Sequence, residues 1–184
     1  MSRRAEEVIR GLAGAGRLAR FDKSGLAFFD ASYEGAWRSF FACVLAAPGF
    51  AILVLASLDA DADPARGLAA GLIAYTIEVA FFPLIMRHVA HGLERLEHWP
   101  RFVAAANWSI LVQLAYHLIA VVAVEILPAP IGGYIALSFF GLALLYAWYI
   151  ARVALDIAGM QAAGVVALSL VISFALSSLS RAMA

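Results

Sequence analysis

The stretch RHVAHGLERLEHWP, residues 87–100, holds the densest group of side chains in the sequence that could do chemistry. Imidazoles and carboxylates of this kind bind metal ions and transfer protons. The candidates are His88, His91, Glu94 and His98. Helical zinc sites favour histidines four residues apart, whereas the spacings here are three and seven. The guanidinium of Arg95, between the last two histidines, would repel a dication.

Residues 87–98, called the elbow below, also have an amphipathic pattern. On a helix at about 100° per residue, the three histidines and Arg95 fall on one face, and three apolar residues fall on the other. We interpret the elbow as a polar link at a membrane surface that holds no metal ion and no catalytic residue. Two alternatives are a contact with a partner or lipid headgroup, and a metal or catalytic site.

A second set of polar residues lies inside apolar segments. Glu78 is the only charged residue of GLAAGLIAYTIEVAFFPLIM, and an ionised carboxylate at that depth in a bilayer costs about 2.5–3.5 kcal/mol on insertion scales. The next apolar segment carries four polar residues on one helical arc: Asn107, Gln113, His117 and Glu125. We call Glu78, Asn107, Gln113 and His117 the polar cluster.

The polar cluster has two interpretations. The two segments run antiparallel, so the depths allow Glu78 to contact His117 or Gln113. Ionisable groups inside a membrane are candidates for solute or proton binding. They also serve as hydrogen-bonding contacts between helices, each worth about 0.6–2 kcal/mol, and this structural interpretation is the one we favour from the sequence.

The composition requires elements that position these residues within lipid. Of the 184 residues, 64% are hydrophobic and 14% are charged, whereas soluble domains average about 45–50% and about 25%. Helices satisfy their own backbone hydrogen bonds in a bilayer. The sequence therefore predicts an all-α, polytopic transmembrane bundle. Its five spans are expected near residues 39–58, 67–86, 102–126, 134–151 and 157–180.

Residues 1–38 form a polar leader ahead of the transmembrane domain, residues 39–182. On a helical wheel its basic residues oppose an apolar face, formed by Val8, Ile9, Leu12, Ala15 and Ala19. This pattern predicts an amphipathic helix that lies on an anionic membrane surface.

The distribution of Lys and Arg predicts the orientation. With five spans, eleven of the 13 basic residues fall on the side of the N-terminus, and only Arg66 and Arg181 fall on the other. The positive-inside rule then places the N-terminus in the cytoplasm and the C-terminus outside, in a bacterial inner membrane. The count of five depends on a turn around Arg152 to Asp156. Without that turn there are four spans, and the C-terminus lies inside.

The order of the segments resembles the Yip1-type family of five-span membrane proteins. The resemblance covers roughly residues 35–182. It rests on a short link followed by WPRFVAAANW and on a final pair of segments, YAWYIARVALDIAGMQAAGVVALSLVISFAL. The family has no settled catalytic motif, so the resemblance assigns no residue a role. Eukaryotic members act in vesicle trafficking with small GTPases.

From the sequence we predict a non-enzymatic scaffold or membrane-organising protein without a cofactor. Its expected partners are the lipid bilayer and either other membrane proteins or further copies of the same chain. The net charge of zero gives no basis for nucleic-acid binding. The alternative is a small transporter or proton-linked subunit that uses the polar cluster. A membrane enzyme that uses the elbow ranks third.

Overall fold

The computed structural model describes residues 3–59 and 61–183, and these form an all-α bundle without strands. The predicted fold class is therefore confirmed. The six α-helices are α1 (Arg3–Leu18), α2 (Tyr33–Ala56), α3 (Pro64–Gly92), α4 (Trp99–Ile126), α5 (Ala129–Leu155) and α6 (Gly159–Met183). Two 3-10 helices, Lys23–Phe28 and Leu96–His98, lie in the links.

Helices α2 to α6 are each long and apolar enough to cross a membrane. Their lengths of 24 to 29 residues correspond to about 36–44 Å at 1.5 Å per residue. Large apolar side chains cover the outer faces of these helices, among them Val44, Phe81, Ile119, Leu137 and Phe174. Faces of this composition suit lipid rather than water. The chain is thus an integral membrane protein.

Most helix ends lie outside the apolar windows expected from the sequence, although α2 ends two residues earlier and α6 begins two residues later than expected. Helix α2 begins at Tyr33 rather than near 39, because the Ser32 side chain accepts a hydrogen bond from the Gly35 N–H and caps it there. Asp63 caps α3 in the same way. The turn between the fourth and fifth spans is present at Asp156, which adopts a left-handed conformation with φ of 56°. It ends α5 four residues later than expected.

The five long helices close into a ring. Helix α4 packs between α2 and α5, α3 packs between α2 and α6, and α6 closes the ring against α5. At one end lie the links 93–98 and 156–158, together with Arg95, Arg101 and Arg152. We call it the basic end. The links 57–63 and 127–128 lie at the other end, with Asp59, Asp61 and Asp63. We call it the acidic end.

Helix α1 packs along the first turns of α4, near the basic end. Ala15 and Leu18 are fully buried, and the Tyr146 hydroxyl of α5 donates a hydrogen bond of 2.8 Å to the Ala15 carbonyl. Gly11 lies directly on the Trp108 ring, where a Cβ would overlap it. The absence of a side chain at Gly11 therefore permits this close approach.

The buried face of α1 overlaps only in part with the apolar face predicted for the leader. Ala15 is buried in the protein core, and Val8 and Ala19 pack against that core, but Ile9 and Leu12 are 56% and 44% exposed. The face that packs on α4 and the first 3-10 helix also includes Gly11, Gly14 and Leu18. Wheel arguments count glycine as neutral, so they missed a face on which glycine is the contact residue.

Candidate functional site

A cavity of about 330 Å³ lies inside the ring, and all five long helices contribute side chains to it. Most of its lining is apolar, with Phe50, Leu53, Phe82 and Leu114 among the larger groups. The polar lining residues are Tyr75, Glu78, Asn107, Gln113, His117, Ser169 and Ser173. All four residues of the polar cluster thus line one cavity.

Glu78 occupies the middle of α3, 14 residues from each end, and is half-buried. Its Oε1 atom accepts a short hydrogen bond from the Ser173 hydroxyl of α6. Among the described residues, Glu78 makes no hydrogen bond to His117 or Gln113, the two contacts considered from the sequence. The order of the helices in the ring explains this, because α3 packs more extensively on α6 than on α4, the next helix in the sequence.

His117 and Gln113 line the cavity from α4. The Nδ1 atom of His117 lies 2.8 Å from the Gln113 carbonyl oxygen of its own helix. A carbonyl oxygen can only accept, so Nδ1 carries the proton, and the Nε2 atom of a neutral imidazole keeps a lone pair. The helix that carries His117 thus orients its imidazole, and among the described residues the ring has no hydrogen bond to another helix.

Asn107 is the buried member of the polar cluster, 9% exposed. Its Nδ2 atom donates to the Ser39 hydroxyl at 2.9 Å, and that hydroxyl donates to the Ala36 carbonyl. Asn107 therefore links α4 to α2 at one end of the cavity. Glu125, on the same predicted arc of α4, is exposed near the acidic end and does not line the cavity.

Two further lining residues, Tyr75 and Ser173, were not among the candidate site residues predicted from the sequence. The Tyr75 hydroxyl donates a 2.7 Å hydrogen bond to the Cys43 carbonyl and joins α3 to α2. Both side chains line the cavity. Ser173, the partner of Glu78, belongs to a stripe of serines at four-residue spacing, Ser169, Ser173 and Ser177. That stripe was the available signal that α6 presents hydroxyls to a neighbouring helix.

The elbow is not the single helix assumed from its periodicity. Helix α3 ends at Gly92, Glu94 adopts a left-handed conformation with φ of 57°, and a short 3-10 helix follows. The chain turns here because the left-handed Glu94 lets the Arg95 N–H donate to the Ala90 carbonyl at 2.8 Å, which closes the end of the helix. His98 consequently does not continue the helical face of His88 and His91. Its Nε2 atom lies 3.7 Å from the Glu97 carboxylate.

Within the elbow, the Arg95 side chain hydrogen-bonds to the backbone at the end of α5. Its Nε atom donates to the Asp156 carbonyl at 3.0 Å, and Arg101 donates to the Ala154 carbonyl at 2.8 Å and 3.0 Å. Cations at the C-terminus of a helix satisfy its last carbonyls and its dipole. The two arginines thus fasten the turn between α5 and α6. In residues 3–59 and 61–183, no three His, Cys, Asp or Glu side chains are grouped to hold a metal ion.

A polar cleft separates α1 from α2 near the basic end. Arg38 lies there among three carboxylates, 2.6 Å from Asp30, 2.6 Å from Glu34 and 3.3 Å from Glu7. The Ser32 backbone N–H and hydroxyl, and then Arg38, hold the pKa of Asp30 below its usual 3.8. The side chains of Arg38 and its three partners are each about one-third exposed or more, so solvent screens every one of these ion pairs. Each pair therefore contributes little to stability. Arg38 and these three carboxylates are thus paired with one another.

Comparison with protein-family models, with curated proteins and with solved structures finds no match to this chain. The resemblance to the Yip1-type family therefore stays a prediction.

Proposed function

We propose that this integral membrane protein binds a small solute in the ring cavity and acts as a small transporter, without a catalytic step. The observation that carries the proposal is the cavity itself, to which all five long helices contribute and in which Glu78 lies at mid-length of its helix. This favours the alternative of the sequence analysis over the scaffold.

The energetic cost of the cavity and of Glu78 supports a solute-binding role over a scaffold role. An interior that serves only structure is close-packed, because side chains that border a void lose dispersion contacts. A carboxylate placed at membrane depth adds a further cost. A scaffold requires its outer surface and gains nothing from either feature. A solute site requires both a concave space and a polar group that fixes orientation.

The proposed orientation has the basic end in the cytoplasm, in a bacterial inner membrane. It is supported by the eleven basic residues on the side of the N-terminus. In a Cys43→Ser background, Asp61→Cys should react with a membrane-impermeant thiol reagent from outside and Gly92→Cys only after the membrane is opened. Reaction of both from one side would contradict this orientation.

A thiol at position 113 provides a direct test of the cavity, because Gln113 is part-exposed and lines that space, whereas Cys43 is only 4% exposed. Methyl methanethiosulfonate, a small neutral reagent, is added to folded Gln113→Cys protein, made in a Cys43→Ser background, in membranes, and the mass of the intact chain is measured. We expect one modification, with none in Cys43→Ser alone. A thiol that reacts only after denaturation in detergent would contradict solute entry.

A further inference from the structure

The charges around the cavity are one-sided. Among the described residues that line it, Glu78 is the one carboxylate, and neither Lys nor Arg is present. The other titratable lining groups are Cys43 of α2, Tyr75 of α3 and His117 of α4, and α5 and α6 contribute none. An ionised Glu78 thus has no permanent cation of the protein beside it. Groups of this kind inside membranes require a counter-charge.

The hydrogen-bonding groups that line the cavity are mostly free to accept, because they already donate their protons to other atoms of the protein. Tyr75 donates to the Cys43 carbonyl, Ser169 donates to the Val166 carbonyl, and Ser173 donates to Glu78. The Nδ1 proton of His117 is directed at the Gln113 carbonyl. Lone pairs remain on the three hydroxyl oxygens, on the carboxylate and on Nε2 of a neutral His117.

The donors that remain in the cavity are few. Asn107 uses one amide N–H on Ser39, and Gln113 offers its side-chain amide. Acceptors therefore outnumber donors, which suits a ligand that donates several hydrogen bonds. A primary ammonium donates three and carries the missing positive charge.

The remaining surface of the cavity is apolar, with Phe50, Phe82 and Leu114 among its lining residues. Its 330 Å³ is at the low end of the range of about 300–1,000 Å³ for ligand pockets. The space accordingly fits a small apolar body better than a bare metal ion, which needs a shell of oxygen ligands and little volume.

We infer that the cavity takes a small organic cation, a primary ammonium on an apolar body, with the Glu78 carboxylate as its counter-ion. This inference rests on the proposed solute-binding function. The acceptor-rich set of Tyr75, His117 and Ser173 orients the ammonium beside Glu78, and the apolar wall receives the hydrocarbon part.

The test compares three probes of equal chain length on the purified full-length protein in detergent: hexylammonium, hexanol and hexanoate. Thermal unfolding is followed at increasing probe concentration, and protein-free micelles are the blank for calorimetric titration. We expect a saturable rise of the unfolding temperature with hexylammonium. Neither hexanol nor hexanoate should give such a rise at the same concentrations.

The variants separate charge from packing. Glu78→Gln should weaken hexylammonium binding at least tenfold, whereas Glu78→Asp, which keeps the charge, should retain a preference for hexylammonium over hexanol. Glu125→Gln is the matched control, because that glutamate lies on α4 outside the cavity. It should bind as the wild type does. The unfolding temperature without probe verifies that each variant is folded.

Four results would overturn the inference. They are equal binding of hexanol and hexylammonium, full binding by folded Glu78→Gln, no binding of hexylammonium, and the same Glu78-dependent stabilisation by sodium chloride alone. The last would assign the site to a metal cation. If the Gln113→Cys variant is modified by the neutral reagent while hexylammonium does not bind, the cation preference fails and the solute cavity stands. An unreactive Gln113→Cys variant removes both.

Discussion

The contacts of α1 at the basic end and the inner face of the ring are built from the same helices, yet they are packed differently. Near the basic end Leu18, Met86, Tyr146 and Leu155 are fully buried, and α1 lies along α4 and α5. On the inner face the same helices separate around the cavity, whose lining runs from Phe102 and Ile150 near the basic end to Glu78 at mid-length. Lipid supplies no hydrophobic force that pulls helices together, so packing contacts decide where they adhere. The contacts around α1 therefore hold the ring closed, while its inner face stays open.

Helix α1 is what allows the basic end to be dense. It brings its glycine-rich face and Leu18 to a bundle that would otherwise expose Trp108 and Tyr146 at this place. Aromatic side chains bury large areas and dominate such packing. We therefore expect the largest effects on stability at the basic end and the largest effects on function in the cavity.

The largest expected effect is that of Trp108→Ala. Trp108 is 3% exposed and supports Gly11 of α1, so truncation leaves a cavity at a cost of about 3–5 kcal/mol. Trp37→Ala is the matched control, because Trp37 is 73% exposed. Unfolding in mixed micelles measures both. Equal losses in the two variants would remove the distinction between dense and open regions.

Glu78 should separate stability from function. Glu78→Leu removes the acceptor of the Ser173 hydroxyl and should cost about 1–3 kcal/mol, whereas Glu78→Gln keeps an acceptor and should be nearly neutral in stability. If Glu78 carries charge for solute binding, both variants lose function in a transport or growth assay. A functional Glu78→Gln protein would show that the residue only joins α3 to α6.

Tyr146→Phe tests one polar contact of the basic end. The hydroxyl donates to the Ala15 carbonyl and lies 2.7 Å from the Ser109 hydroxyl, so its removal should cost about 1 kcal/mol. Tyr134→Phe, at a residue that is 72% exposed, serves as the control. Chemical denaturation resolves the difference. A neutral Tyr146→Phe would mean that α1 is held by packing alone.

The smallest effect is a dependence of stability on pH at Asp30. Its pKa is lower in the folded protein than its usual 3.8, because of Ser32 and Arg38. Its stabilisation is therefore fully present above 3.8 and is lost as the pH falls through the folded-state pKa. The difference in unfolding temperature between wild type and Asp30→Asn should shrink on acidification below 3.8. A constant difference would contradict this linkage. Asp59→Asn is the control.

The sequence predicted the class of fold and the members of the polar cluster, but not their neighbours. Five apolar windows identify five spans because length and composition alone decide whether a helix suits a bilayer. The pairing of Glu78 with Ser173 depends on the ring order, which places α3 beside α6. Apolar periodicity does not encode that order, since lipid-facing and protein-facing residues are both apolar.

The elbow and the leader show a second limit. Periodicity treats residues 87–98 as a continuous helix, whereas the left-handed Glu94 interrupts it just after Gly92, and Arg95 then reaches the Asp156 carbonyl. In the leader, the contact face is formed partly by glycines such as Gly11. In both places a backbone property of single residues decides the geometry, and a helical wheel does not represent it.

The rate at which a small thiol reagent modifies a Gln113→Cys variant, compared with the same reagent at a position in the dense core, tests the difference between the two regions most directly. Ala105→Cys provides the core position, because Ala105 is fully buried and does not line the cavity, and both variants are made in a Cys43→Ser background. With methyl methanethiosulfonate on folded protein in membranes, we predict modification of Gln113→Cys and protection of the Ala105→Cys variant until it unfolds. Equal protection of both thiols would contradict an open cavity at the centre of the ring.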